Sequence, residues 1–186
     1  MFEYIKADFK RVSNKHTYKE KGIISKIIII LLFHPGFQAV LNYRFCHWLV
    51  INKVPIIYIF LQRITEISTG ISIPPNTQIG KGLLIEHFGG IVIEGYSIIG
   101  ENCTITYCVS IGKKEPFGNV PNIGNSVYIC VGAKVLGDVT LGDNCIVGAN
   151  AVVLTSFPPN SVIAGVPAKR VKIVENDCHK NFNLSL

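Results

Sequence analysis

Residues 123–153 read IGNSVYICVGAKVLGDVTLGDNCIVGANAVV. Every sixth residue is a branched aliphatic: Ile123, Ile129, Val135, Leu141, Val147 and Val153. Four positions after each of the first five comes a small or β-branched residue: Val127, Ala133, Val139, Cys145 and Ala151. A period of six suits neither the 3.6 of a helix nor the alternation of an ordinary strand. It is the hexapeptide repeat of a parallel β-helix, in which each unit is a short strand plus a turn. Three such units close one triangular coil. The aliphatic fills the triangle, and the smaller residue points inward where there is little room. Gly124, Gly142 and Gly148 fall at corners, where the backbone turns or packs closely.

The pattern extends backwards. Ile73, Ile79 and Ile85 are in phase, with Thr77, Leu83 and Gly89 at the second inward position. The phase then slips by two within residues 87–90. Ile93, Ile99, Ile105 and Ile111 continue it, accompanied by Ser97, Cys103 and Val109. Residues 112–122 contain two prolines and no six-residue pattern, which predicts a loop extruded from one coil. Interruptions of a solenoid are where functional loops belong. The reading divides the chain into a helical region over 1–69, the β-helix over 70–156 and a C-terminal extension over 157–186.

The helical region is read from its apolar runs. Phe2, Tyr4, Ile5 and Phe9 can share one helix face. Residues 23–33 are apolar apart from Ser25 and Lys26, too short for the roughly 20 residues that span a bilayer. His34-Pro35-Gly36 breaks that run. Residues 37–50 predict a second helix, and 56–67 a third helix or an extended lead-in. No small-residue cleavage site follows the apolar run, so a signal peptide is not expected. Past the coil, 161–174 predicts a short strand or helix packing back, and the last dozen residues read as a mobile tail.

The formal charge of +6 is uneven. Residues 1–63 hold ten Lys/Arg against three acids; residues 64–186 hold eight against nine. No nucleic-acid motif accompanies the basic arm. Its apolar neighbours instead suggest peripheral association with an anionic membrane, at the inner face. The six cysteines do not read as a disulfide framework, because Cys103 and Cys145 take inward positions and Cys108 and Cys130 lie in strand segments. Cys46 is in the helical region and Cys178 in the tail. That usage fits a reducing cytoplasm.

Three stretches carry a family resemblance: Tyr43-Arg44-Phe45-Cys46-His47-Trp48-Leu49; Gly80-Lys81-Gly82-Leu83-Leu84-Ile85-Glu86-His87 with Gly89-Gly90-Ile91-Val92-Ile93; and Val131-Gly132-Ala133-Lys134-Val135-Leu136-Gly137 through Ile163-Ala164-Gly165-Val166-Pro167-Ala168. With these in view, the chain resembles the hexapeptide-repeat acyltransferases. Within them it is most similar to serine acetyltransferases and to the sugar and polysaccharide O-acetyltransferases that share their look. The resemblance implies a left-handed parallel β-helix capped by N-terminal helices, and a homotrimer with active sites between subunits. It also implies acetyl-CoA as co-substrate, with no metal.

Transfer from a thioester to an alcohol needs a base, a stabilised oxyanion and two substrates held together. His87 is the one histidine between Gly70 and the tail, and it sits at the phase slip. As a residue type histidine suits the base role, and by motif His87 matches the family's catalytic histidine. His16, His34 and His47 read as structural or surface residues. Where the family orients its histidine with an aspartate, this chain has Ser72. Glu86 occupies the place of the acid beside the histidine, and Glu94 is a second candidate. On the donor side the resemblance places Val131, Gly132, Ala133 and Ala149 against acetyl-CoA. Gly112 is placed to direct an N–H at the thioester oxygen, and Lys113, Lys169 and Arg170 to meet the CoA phosphates.

The acceptor side departs from the family. The loop ends Asn119-Val120-Pro121 in place of the family's Arg-His-Pro, and no aspartate occurs between Asp8 and Asp138. Burying a substrate carboxylate or ammonium without a counter-charge is expensive. The expectation is therefore a sugar hydroxyl as acceptor, in capsule, O-antigen or exopolysaccharide biosynthesis. Serine O-acetylation in cysteine biosynthesis is the alternative, and an amino-sugar N-acyltransferase or a non-catalytic trimeric scaffold stand behind it. A carbonic anhydrase is excluded, since its zinc needs several coil histidines. The transfer is expected to be direct, with a covalent route through Cys108 or Cys130 as the competing mechanism.

Overall fold

The computed structural model describes residues 1–54 and 56–174, without the side chains of residues 16 and 19. The expected tail and Cys178 lie outside the described residues. The helical region contains α1 (Phe2–Ser13), α2 (His16–Lys19), α3 (Ile23–Phe33), α4 (Pro35–Ile51) and α5 (Ile57–Thr69). The solenoid follows at once. Its strands are β1 (Ile71–Ser72), β2 (Gln78–Ile79), β3 (Leu84–Ile85), β4 (Ile91–Ile93), β5 (Ile98–Ile99), β6 (Thr104–Ile105) and β7 (Ser110–Gly112). They continue as β8 (Asn122–Ile123), β9 (Tyr128–Ile129), β10 (Lys134–Leu136), β11 (Thr140–Leu141), β12 (Ile146–Val147), β13 (Val152–Val153), β14 (Ser161–Ala164) and β15 (Lys169–Ile173).

From β4 to β13 each strand pairs in parallel with the strand three places before it, so three sheets run along a parallel β-helix. The last two strands depart from that spacing: β14 pairs in parallel with β12, and β15 folds back antiparallel on β14. The register locates both interruptions. Ile123 pairs with Leu141, eighteen residues on, which is one undisturbed coil. Ile79 pairs with Ile99, twenty residues on, because the segment 87–90 adds two. Ile99 pairs with Ile123, twenty-four residues on, because the loop after β7 adds six.

The repeat aliphatics form one continuous core, with Ile105, Ile129, Val135, Leu141, Val147 and Val153 entirely buried. Cys103 and Cys145 are buried free thiols inside it. The helical region is docked on the first coil by α4. Tyr43 Oη donates to the Thr77 carbonyl at 2.7 Å. Arg44 reaches the Ile79 and Gly80 carbonyls at 2.6 and 2.7 Å. Arg44 also pairs with Asp8 of α1, whose Oδ1 accepts from the Gly82 and Leu83 N–H groups. Burial pushes the Asp8 carboxyl up, against the pull of Arg44 and these two N–H groups. Gly36 is required where α4 starts, since a Cβ there would strike the Ile85 carbonyl. That contact sets the helical region directly against the strand that leads into residues 86 and 87.

Candidate active site

β3 ends in a kink. Glu86 N–H still donates to the Ile105 carbonyl at 2.9 Å, so the coil holds the carboxylate bearer in register. His87 then leaves it in the left-handed region at φ 66°, which histidine tolerates better than most residues. The chain bulges through 87–90 before rejoining as β4. The bulge is tied at Gly89, whose N–H donates to Thr69 and whose carbonyl accepts from Cys108. Its effect is to lift the imidazole out of the wall. His87 is exposed, with its ring edge-on to Tyr107 at 5.5 Å between centroids.

Glu86 is held from both sides. Lys15, at the start of α2, places Nζ 2.8 Å from Oε1. Tyr128 of β9 donates to Oε2 at 3.2 Å. Burial raises the Glu86 carboxyl, but Lys15 and Tyr128 outweigh it and leave the group below its ordinary range. The same contact, added to burial, raises the Tyr128 phenol. A cavity of about 310 Å³ opens here, walled by Lys15, Tyr18, Phe33, His34, His87 and Phe88. An imidazole and an ammonium thus line one mouth between the helices and the coil, and the ammonium is paired there with the Glu86 carboxylate. A larger cavity, about 650 Å³ between α1, α4 and β2, contains His47 and Trp48 but not His87.

The other expected site residues are spread along the coil. The Ser72 hydroxyl is directed at α5, donating to Glu66 Oε1 at 2.7 Å. Lys113 pairs with Glu94 at 3.5 Å beside Gly112, at the root of the extruded loop. Val131 and Gly132 form the corner between β9 and β10. Ala133 is wholly buried, and its N–H and carbonyl are taken by Cys130 and Ser110. Ala149 is exposed at a later corner, and Lys169 and Arg170 are exposed on β15. Burial raises the Cys130 thiol, which disfavours the thiolate a covalent route would need. Among the described residues no group of three or more His, Cys, Asp or Glu is arranged to hold a metal ion.

Lys15 is the residue that sequence reasoning missed. It lies in a short polar stretch with no periodicity, seventy-one residues from its partner. Only the docking of α1 and α4 on the coil brings it to Glu86.

The architecture matches known proteins. Residues 121–155 match the model of the bacterial transferase hexapeptide family, six repeats. Serine acetyltransferase from Synechococcus elongatus is 33% identical over 171 residues, covering 91% of this chain and 68% of that protein. Serine acetyltransferase from Helicobacter pylori J99 is 40% identical over 144 residues, covering 76% and 84%. The chain belongs to the serine acetyltransferase family. Solved members superpose over nearly the whole chain. The Vibrio cholerae enzyme has a TM-score of 0.83 at 29% identity, covering 95% of this chain and 67% of that one. The Neisseria gonorrhoeae enzyme in complex with serine has a TM-score of 0.80 at 30% identity, covering 92% and 69%. The Brucella abortus enzyme in complex with coenzyme A scores 0.82 at 28% identity, covering 94% and 68%.

Family membership makes the chain an acetyl-CoA-dependent O-acetyltransferase of the hexapeptide class. It also corrects the acceptor. The expected sugar hydroxyl, and the polysaccharide pathway attached to it, are overturned by relatives that are serine acetyltransferases in sequence and in structure alike. The physical reason lies at the mouth beside His87. The sequence lacks the family's charged residues at their motif positions, and those positions do not show that the fold brings Lys15 to Glu86 beside the His87 cavity.

Proposed function

We propose that this chain transfers the acetyl group of acetyl-CoA to the hydroxyl of L-serine, with His87 as the base. The observation that carries the reading is that Lys15 and His87 line one cavity and that Lys15 is paired there with Glu86. L-Serine is a zwitterion with a hydroxyl. Lys15 offers a cation to its carboxylate and Glu86 an anion to its ammonium. Binding opens the existing Lys15–Glu86 pair and replaces it by two pairs with the substrate, so no buried charge is left alone. His87 takes the hydroxyl proton as the oxygen attacks the thioester carbonyl. The tetrahedral oxyanion then collapses, the C–S bond breaks, and the leaving CoA sulfur recovers the proton from the imidazolium. Gly112 at the loop root remains our candidate for the oxyanion N–H. The outer corners at Val131, Gly132 and Ala149, with Lys113, Lys169 and Arg170, remain our candidates for holding the donor. Ala133 lies inside the core, so its part is to keep the corner narrow.

We assign residues 1–69 to acceptor binding and docking, 70–156 to donor binding and catalysis, and 157–186 to closing the last coil. A trimer places donor and acceptor surfaces of neighbouring coils together, as the resemblance implies. The five cysteines among the described residues are all free, which supports a reducing cytoplasm as the place of work.

The test is CoA release from acetyl-CoA with L-serine, using wild type, His87→Asn and Lys15→Met. Asparagine accepts the left-handed backbone, so His87→Asn removes the base without straining the bulge. It should cost about 10²- to 10⁴-fold in kcat. Lys15→Met should raise KM for L-serine far more than it lowers kcat, and should leave KM for ethanolamine, which has no carboxylate, unchanged. Absence of turnover with L-serine in the wild type overturns the proposal.

A further inference from the structure

The cavity beside His87 has a second histidine in its wall. Lys15, Tyr18, Phe33 and His34 line it from the helical side, His87 and Phe88 from the coil. The proposed transfer uses Lys15 and His87 and leaves His34 without a task. His34 is half-buried, and its ring is tilted against that of Tyr18 at 6.3 Å between centroids.

What His34 can do there is decided by α4. The residue is the N-cap of that helix, and its Nδ1 accepts from the Phe37 N–H at 3.1 Å. A ring nitrogen that accepts from an N–H carries no proton, so in the neutral imidazole the proton is on Nε2, which is then a donor. The capping bond therefore removes His34 as a second base: one nitrogen is occupied and the other is already protonated. What remains is a single N–H on a ring held at the cavity wall, and no hydrogen bond among the described residues takes it up. Burial, and after it the charge of Lys15, hold this imidazole below its ordinary value, so the neutral form is the one present at neutral pH.

We infer that His34 binds the carboxylate of the acceptor, donating its Nε2 hydrogen beside the Lys15 ammonium. The inference rests on L-serine as the acceptor proposed above. A carboxylate leaving water has two oxygens to satisfy, and one ammonium does not cover both sides of them. Lys15 and His34 stand on the helical wall and His87 on the coil wall. An acceptor whose hydroxyl faces His87 therefore turns its carboxylate to Lys15 and His34. A neutral donor suits this place, because an imidazolium would repel the ammonium next to it. The cap thus does two things at once: it starts α4, and it fixes which of the two histidines at this mouth binds and which takes a proton.

The experiment is steady-state acetylation of L-serine and of ethanolamine by the full chain, wild type against His34→Asn and His34→Asp, with circular dichroism to show that each variant folds. Both replacements cap a helix, so the start of α4 is kept while the imidazole N–H is lost. Aspartate in addition sets an anion where the substrate carboxylate belongs. We expect KM for L-serine to rise about tenfold or more in His34→Asn and further in His34→Asp, with kcat changed by less than about threefold. The preference for L-serine over ethanolamine, taken as the ratio of kcat/KM, should fall in step. A wild type inactive on L-serine overturns the acceptor reading and this inference with it. A wild type active on L-serine, with KM unmoved in His34→Asn and His34→Asp, overturns this inference alone. A fall in kcat at constant KM overturns it in favour of a contact made only in the transition state.

Discussion

Thr77 and Ser97 sit at the same inward corner on successive coils, twenty residues apart like the strands around them. Both side chains are wholly buried, and their hydroxyls have no hydrogen-bond partner in the structure. An unpaired buried hydroxyl keeps its desolvation cost without a return, and an apolar group of the same shape removes that cost. Thr77→Val should therefore stabilise the protein by about 1–2 kcal/mol, seen as a higher denaturant midpoint at unchanged slope. A lower midpoint would mean that the hydroxyl has a partner, such as an ordered water. These two residues also mark what can be read at this scale. Their positions follow from the period of six, because inwardness is a property of spacing. His87 was legible because it breaks that spacing. Lys15 was not, since nothing in a short polar stretch tells which coil it will meet. The hydrogen bond of Ser72 to Glu66 was hidden for the same reason, because it depends on how α5 enters the first coil.

At the scale of elements, the helices follow their sequence cues with differences at their ends. Residues 56–67 left a helix and an extended lead-in equally open. The structure resolves this as α5, closed by Gly70 in the left-handed conformation at φ 66°. The break at 34–36 is a cap as well as a breaker. His34 Nδ1 accepts from the Phe37 N–H at 3.1 Å, with Pro35 at the first helical position. That acceptor exists only while Nδ1 carries no proton. Burial, and then the charge of Lys15, hold the His34 imidazole below its ordinary 6.5, with His87 adding to them and Glu86 opposing. As pH falls, the unfolded chain takes up this proton before the folded one does. The contribution is complete above the unfolded value of 6.5 and is lost as pH falls from there towards the folded value. His34→Asn keeps a cap acceptor without the titration. Thermal melts from about pH 7.5 to about pH 5.5, the range in which an imidazole responds, should slope downward for the wild type and run flatter for the variant. Equal slopes would move the acid sensitivity to another group.

For the molecule as a whole, the solenoid was legible because its core is one-dimensional. Each coil repeats the same inward positions, so a local period predicts a global architecture. The assembly of helices on coil has no period, and neither does the acceptor site we propose between them. The two insertions stand between these cases: the sequence shows where the period fails, and the register shows by how much. The loop after β7 adds six residues to one coil, and it leans little on its own chain. Phe117 at its tip is fully exposed at 103%, and Asn119 holds the base through Asp138 at 3.1 Å. A loop that the solenoid does not need for packing is placed to serve a substrate or a neighbouring subunit. Deleting residues 114–119 restores the eighteen-residue spacing between Ile99 and Ile123 and leaves the Lys113–Glu94 pair at the root. The deletion should leave the far-ultraviolet circular dichroism unchanged and shift stability by no more than about 1 kcal/mol. Turnover should fall by at least about tenfold, the effect of a lost positioning contact. A shortened protein that folds and turns over at the wild-type rate would remove the loop from the site. One that fails to fold would show that the six extra residues carry part of the coil's register.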